Sequence, residues 1–265
     1  MQLFFYIEKY LNQRDAVAVV VEVVRQKSNS NVIEIKNLSH SYNDKIIYRD
    51  LNLNIKESSI FGLLGKNGVG KSTLINILMG YLKPNSGECL VFGEDSHNLS
   101  SDAKRNIALL HEGFITYDYM SIEQLERFFA PFYSRWRKKL FYDLVDLMSL
   151  DYTQKISTLA FGQKSQVVLG TIFAQDAKLL ILDDYSMGLD AGYRRLFIDY
   201  LKEYIFGTNK TVLITSHTMN DLEKLIDDMA ILQSGGNVHQ DTMKNFNCDK
   251  STSFEDKFLD FVGKY

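Results

Sequence analysis

The stretch "GKNGVGKST", residues 65–73, sets glycines at 65, 68 and 70, a lysine at 71 and hydroxyls at 72 and 73. That spacing is suited to phosphate. Glycines let successive backbone amides curl onto phosphate oxygens, so Gly65, Lys66, Asn67, Gly68, Val69 and Gly70 form a cradle. Lys71 reaches the terminal phosphates, the Ser72 hydroxyl can ligate Mg²⁺, and Thr73 follows in the first turn of a helix whose positive end adds to the attraction. Further along, the apolar run "LLIL" at 179–182 ends in Asp183 and Asp184. A carboxylate closing such a strand, with this loop upstream, is placed to organise Mg²⁺, and the next one to direct a water.

The elements that must hold these residues are legible as alternating strands and helices. "VIEI" at 32–35 and "LNLNI" at 51–55 alternate apolar and polar residues, as strands of a half-buried sheet do. "SIFGLL" at 59–64 is an unalternating buried strand, and "STLINILMGYL" at 72–82 is apolar almost all round, predicting a helix covered on most sides. "IALL" at 107–110, "LLIL", "TVLIT" at 211–215 and "MAIL" at 229–232 add further strands, separated by helical patterns. A mainly parallel α/β sheet follows.

Between "IALL" and "LLIL" lies a helical insert, about 113–176, expected to form a separate layer. It begins with Ser121 and Gln124 at capping-box spacing, and Ile122, Leu125, Phe129, Trp136, Leu140, Leu144 and Met148 recur at helical intervals. Within it, "ERFFAPFYSRW" at 126–136 concentrates aromatics, with Arg127, Arg135 and Arg137 around them. Such rings either pack between the helices or, where exposed, favour an interface.

Residues 1–31 read as an N-terminal extension, 32–241 as the main domain and 242–265 as a C-terminal tail. In the extension, Leu3, Phe4, Ile7, Tyr10 and Leu11 recur at helical spacing before a valine-rich stretch. Its longest aliphatic run, "AVAVVV" at 16–21, is far below the roughly 18 apolar residues needed to cross a bilayer, and no secretion signal is expected.

A chain of 265 residues, 45% hydrophobic, can bury one large core or two small ones. Its net charge of -3 gives no nucleic-acid footprint, and no nucleic-acid partner is expected. Cys89 and Cys248 lack metal-ligand spacing, which fits a reducing compartment.

Further motifs stand in a fixed order around the phosphate loop: "HSYNDK" with Tyr42 before it, then "LLHEGF" with Glu112, "LAFGQ" at 159–163, "SMGLD" at 186–190 and "ITSHT" with His217. Together they resemble the nucleotide-binding subunits of ABC transporters from about Val32 to Gln240. The resemblance implies a P-loop NTPase (RecA-like) core with a small antiparallel β subdomain and an inserted α-helical subdomain. It implies ATP and Mg²⁺ as cofactors, with Tyr42 stacking on adenine and Ser72, Asp183 and Glu112 at the metal. A strand-end surface tyrosine is the competing reading for Tyr42, which its position relative to the phosphate loop disfavours, and a solvated loop carboxylate is the competing reading for Glu112.

By the same resemblance, Ala160, Phe161, Gly162 and Gln163 occupy the signature segment that caps the terminal phosphate of a second subunit. Gly188, Leu189 and Asp190 lie in the loop that crosses the dimer interface, and His217 senses the γ-phosphate. An ATPase dimer and a separate transmembrane permease, of the ABC-2 type by overall look, are the implied partners. The location would be the cytoplasmic face of the membrane.

Two positions depart from the family. Asp184 stands where a glutamate positions the attacking water, and its carboxylate is drawn back by about one C–C bond; a misplacement near 1 Å can cost on the order of 100-fold. Ala160 replaces the signature serine and removes a hydroxyl. The expectation is ATP binding and dimer closure with slow hydrolysis. A soluble ABC ATPase without a permease and an ATP-gated subunit that does not hydrolyse are the competing readings.

Overall fold

The computed structural model describes residues 30–113, 116–186, 189–216, 219–246 and 252–263. Most of the N-terminal extension, Gly188, His217 and Cys248 lie outside the described residues.

The first two strands are longer than their alternating cores. β1 (Asn31–Tyr42) and β2 (Lys45–Lys56) form an antiparallel hairpin whose register shifts at Ile35/Leu38 and Leu38/His40. Bulges explain why the sequence alternation broke off early: Asn37 and Asp50 take φ of +50° and +53°, so the pleat is interrupted and then resumes. β3 (Ile60–Leu64) is buried throughout and leads through the glycine loop into α1 (Lys71–Leu78). The helix stops four residues short of the predicted end. Gly80, at φ +71°, turns the chain so that its own N–H reaches Ile77 O and that of Tyr81 reaches Asn76 O.

After α1 come β4 (Ser86–Val91), β5 (Glu94–Asp95), α2 (Ser101–Arg105) and β6 (Ile107–Leu110). The helical layer follows with α3 (Ile122–Phe129), α4 (Lys138–Leu147) and α5 (Phe161–Ala174). The remainder is β7 (Leu179–Leu182), α6 (Ala191–Ile205), β8 (Thr211–Ile214), α7 (Met219–Glu223), β9 (Asp228–Leu232), β10 (Val238–Thr242), α8 (Met243–Phe246) and α9 (Phe254–Val262).

The strands sort into two sheets. An antiparallel sheet has the order β2-β1-β4-β5, and a second has the order β10-β9-β3-β8-β7-β6, parallel except for the edge strand β10. β3, β8 and β7 are neighbours, so the glycine loop after β3 and the residues following β7 and β8 emerge side by side at the carboxyl edge, where open α/β sheets bind ligands.

Alternate residues of the parallel sheet feed two cores. Leu180 and Leu182 face a core shared with α5, α6 and α9, whereas Leu179 and Ile181 face a core shared with α1 and the antiparallel sheet. Phe254 and Phe258 of α9 are buried in the first of these, so the described C-terminal helix is packed against the domain. A third, smaller core joins Ile122 and Leu125 of α3, Phe141 and Val145 of α4, and Val167 and Ala174 of α5. α5 therefore serves two cores, which is why ten of its fourteen residues are buried. The capping box expected at α3 is present: the Gln124 N–H donates to Ser121 Oγ at 3.2 Å, and the Ser121 N–H to Gln124 Oε1 at 2.9 Å.

The aromatic stretch of the insert divides. Phe129 and Trp136 pack against the third core, and Trp136 Nε1 donates to the buried carboxylate of Glu126 at 2.9 Å. Phe128 and Phe132 are exposed, with centroids 5.6 Å apart. All three nearby arginines are engaged, Arg127 with Glu123, Arg135 with Asn106 and Arg137 with Asp176.

Candidate functional site

The loop between β3 and α1 is shaped by backbone contacts. Gly65 has φ +151°, and a Cβ there would meet Val69 Cγ1 at 2.7 Å and the carbonyl of Leu232 at 2.9 Å. Gly70 has φ +120° and caps α1 without any side-chain hydrogen bond. The first-turn amides of the helix thus keep their donors for an anion. The Lys71 amine is folded back onto the loop, donating to the carbonyls of Gly65 at 2.8 Å and Lys66 at 3.2 Å. Burial pulls the Lys71 pKa down, while the charges of Asp183, Asp184 and Glu112 push it the other way.

Asp183 and Asp184 follow β7 and are nearly fully buried, and one hydroxyl holds them both. Thr215, just past β8, donates to Asp183 Oδ1 at 2.8 Å and accepts the Asp184 N–H at 2.8 Å. Asp184 takes φ +47°, a conformation Asp tolerates better than most side chains. Ser186 Oγ donates to Asp184 Oδ1 at 3.3 Å and pairs with Ser216 Oγ at 2.8 Å.

These groups converge on one cavity of about 420 Å³. Tyr42 lines it with the loop residues Asn67, Gly68 and Gly70 and with Lys71, Ser72 and Thr73 of α1. Glu112, Asp183, Asp184 and Thr215 line it as well. Gly65, Lys66 and Val69 belong to the same loop without lining the space. Tyr42 is about half exposed, its ring in an edge contact with buried His40 at 4.9 Å.

The donor set suits a hard divalent cation. Ser72 and Asp183 supply oxygens, and among the described residues no group of three His, Cys, Asp or Glu forms a protein-only cage. Mg²⁺ fits that pattern because it takes one or two protein ligands and fills its shell with water and phosphate. Bound there, it would neutralise phosphate charge.

The residues expected to form the signature segment, Ala160 to Gln163, do not line the cavity. Ala160 is the N-cap of α5, and its N–H donates to Gln163 Oε1 at 2.9 Å, which is half of a capping box. The Ala160 methyl has no oxygen to complete it, so that cap takes no first-turn amide. Gly162 sits against the ring of Tyr193, where a Cβ would be 2.7 Å from Cδ2, and Phe161 is about half exposed. Leu189 is buried, and Asp190 caps α6 by accepting the Tyr193 N–H at 2.9 Å.

Sequence reasoning passed over several residues of this region. Thr215 is the polar residue directly after the apolar run of β8, the same signal that marked Asp183. Arg194 donates to Leu189 O at 2.9 Å and to Asp221 of α7 at 3.0 Å, so it ties the loop before α6 to the helix after β8. No spacing rule marks it in the sequence. Tyr48, buried in β2, donates its hydroxyl to the carbonyl of Gly70.

Comparison with known proteins agrees with this geometry. The profile of the ABC transporter family matches residues 48–186, just over half of the chain. Among curated relatives, the uncharacterized ABC transporter ATP-binding protein YhcH of Bacillus subtilis is 29% identical over 225 residues, covering 84% of this chain and 74% of its own. The bacitracin transport ATP-binding protein BcrA of Bacillus licheniformis is 28% identical over 212 residues, covering 78% and 68%. A solved ATP-binding subunit of an ABC transporter superposes with TM-score 0.75 at 20% identity, covering 88% of this chain and all of that one. The cbiO1 structure from Clostridium perfringens gives 0.69 at 22% identity, covering 84% and 92%. The chain therefore belongs to the ABC transporter family, as one of its ATP-binding subunits.

Proposed function

We propose that the protein binds ATP·Mg²⁺ in the cavity above α1, closes on it as a dimer, and drives a separate transmembrane permease while hydrolysing slowly. The carrying observation is the convergence of the phosphate loop, Asp183 and Asp184 on one space, with the shorter carboxylate at the second position. The loop amides and Lys71 hold the β- and γ-phosphates, Ser72 and Asp183 hold the metal, and Tyr42 stacks on the base. Glu112 joins the metal shell. Asp184 directs the water for in-line attack on the γ-phosphate, with His217 sensing that phosphate. Positioning and charge stabilisation carry most of such a reaction, so reach matters.

The α5 terminus of one subunit, Ala160 to Gln163, meets the terminal phosphate of the other, and Gly188, Leu189 and Asp190 line the dimer seam. With Ala160 the trans contact relies on backbone amides. In a homodimer both sites carry both departures; pairing with a different subunit would leave one in each.

Among the described residues no helix is long and apolar enough to cross a membrane; in the proposed assembly the permease supplies the membrane-spanning part. The exposed rings of Tyr81, Tyr119, Phe128 and Phe132, with Tyr81 stacked near His111 beside Glu112, support a docking face for that partner. The ABC-2 type remains the proposed class. Isolating the native complex and identifying its subunits tests the coupling. A multi-span membrane protein is the expected partner, and a complex containing only soluble proteins contradicts it.

A further inference from the structure

Tyr48 is the polar exception in a strand whose other inward residues, Ile47, Leu51, Leu53 and Ile55, are aliphatic. A buried hydroxyl requires a partner. Its partner is the carbonyl of Gly70, the last residue of the phosphate loop and the N-cap of α1, which also accepts the Leu74 N–H at 2.9 Å. Contact between strand and loop is direct. A Cβ on Gly70 would lie 2.7 Å from the Tyr48 hydroxyl oxygen and 2.7 Å from Ile47 Cγ2.

The strand itself is backed at this residue. The turn between β9 and β10 presses its Gly236, φ +88°, against β2 so closely that a Cβ would lie 2.6 Å from Tyr48 Cα. Peptide planarity then carries the effect into the cavity: a carbonyl fixed towards Tyr48 and Leu74 fixes the Lys71 N–H of the same plane in the opposite direction.

We infer that the Tyr48 hydroxyl is a positioning group for the phosphate site, locking the Gly70–Lys71 peptide so that its amide is set for the anion. This rests on the reading of the cavity as the nucleotide site. Tyr48 does not line the cavity, so its effect is exerted through the loop. It falls on every nucleotide that places phosphates there, whatever its base.

Tyr48→Phe removes only the hydroxyl and leaves the Gly70 carbonyl bonded to the Leu74 N–H. Titrating the full chain with Mg·ATP and with Mg·GTP, the variant binds both more weakly than the parent by the same factor, on the order of three- to tenfold, the range of one net hydrogen bond. Tyr48→Leu, which also lacks the hydroxyl, carries the same comparison if the Phe variant does not fold. Unchanged affinities with a lowered unfolding temperature would reduce Tyr48 to core packing and overturn the inference. So would a loss confined to Mg·ATP, which would place Tyr48 at the base through neighbouring Tyr42. A parent chain that bound neither nucleotide would instead remove the proposed function, and this inference with it.

Discussion

Asp184 differs from a glutamate in reach and in the backbone it accepts. Under the proposed function the shorter side chain draws the carboxylate back from the γ-phosphate by about one C–C bond, while φ +47° is more comfortable for Asp than for most residues with a longer side chain. Thr215 and Ser186 then fix what remains of its freedom. Cys89 illustrates a quieter effect of burial. Desolvation raises its thiol from an ordinary 9.0 to about 11, with Ser96 opposing and Asp95 adding to the rise. A raised pKa means that the folded state holds the proton more tightly. The resulting stability is fully present below pH 9 and is lost as pH climbs towards 11. Urea unfolding of the parent and of Cys89→Ala should therefore diverge across that window, the parent losing on the order of 2–3 kcal/mol more. Parallel profiles would contradict this. At this scale the sequence disclosed residues that announce themselves by type and neighbours, such as Lys71 and Asp183. Tyr48 and Arg194 stayed hidden because their partners are backbone atoms or side chains brought near only by folding.

Local signals read elements well wherever one rule acts alone. Ser121 and Gln124 sit at capping-box spacing in the sequence, and both hydrogen bonds form at α3. Replacing Ser121 by Ala should cost about 1 kcal/mol in chemical denaturation. A cost below a few tenths would show that the isolated bridge from Ser121 to Lys155 holds this end of the helix instead. Where rules compete, the element boundaries moved. The apolar run after the phosphate loop invited a helix to Leu82, but Gly80 ended it at Leu78, and a side chain on Gly80 would meet the Ser96 carbonyl at 2.4 Å. The alternation of β1 and β2 was visible only between bulges, so both strands were read short. α5 was legible as a helix start at "LAFGQ", yet its burial on two sides comes from the insert folding back onto the sheet.

Across the molecule, strand order does what no single segment declares. Parallel neighbours β3, β8 and β7 deliver the phosphate loop, Thr215 and the two aspartates to one edge. The antiparallel sheet brings Tyr42 to the same cavity and sets Tyr48 beneath the loop. The segment at Ala160 and Gly162 does not line this cavity. The α/β class and the helices between β6 and β7 were legible because both rest on local periodicity or capping spacing. The packing of α9 into the main core was not, because it depends on a surface that exists only after the sheet has formed. The proposed nucleotide clamp has a turnover limited by the length of Asp184. Phosphate release at saturating Mg·ATP, measured on the assembled complex with its partner present, compares the parent with Asp184→Glu directly. The variant should turn over faster, by on the order of 10- to 100-fold; a variant no faster than the parent would show that the length of Asp184 is not the limit.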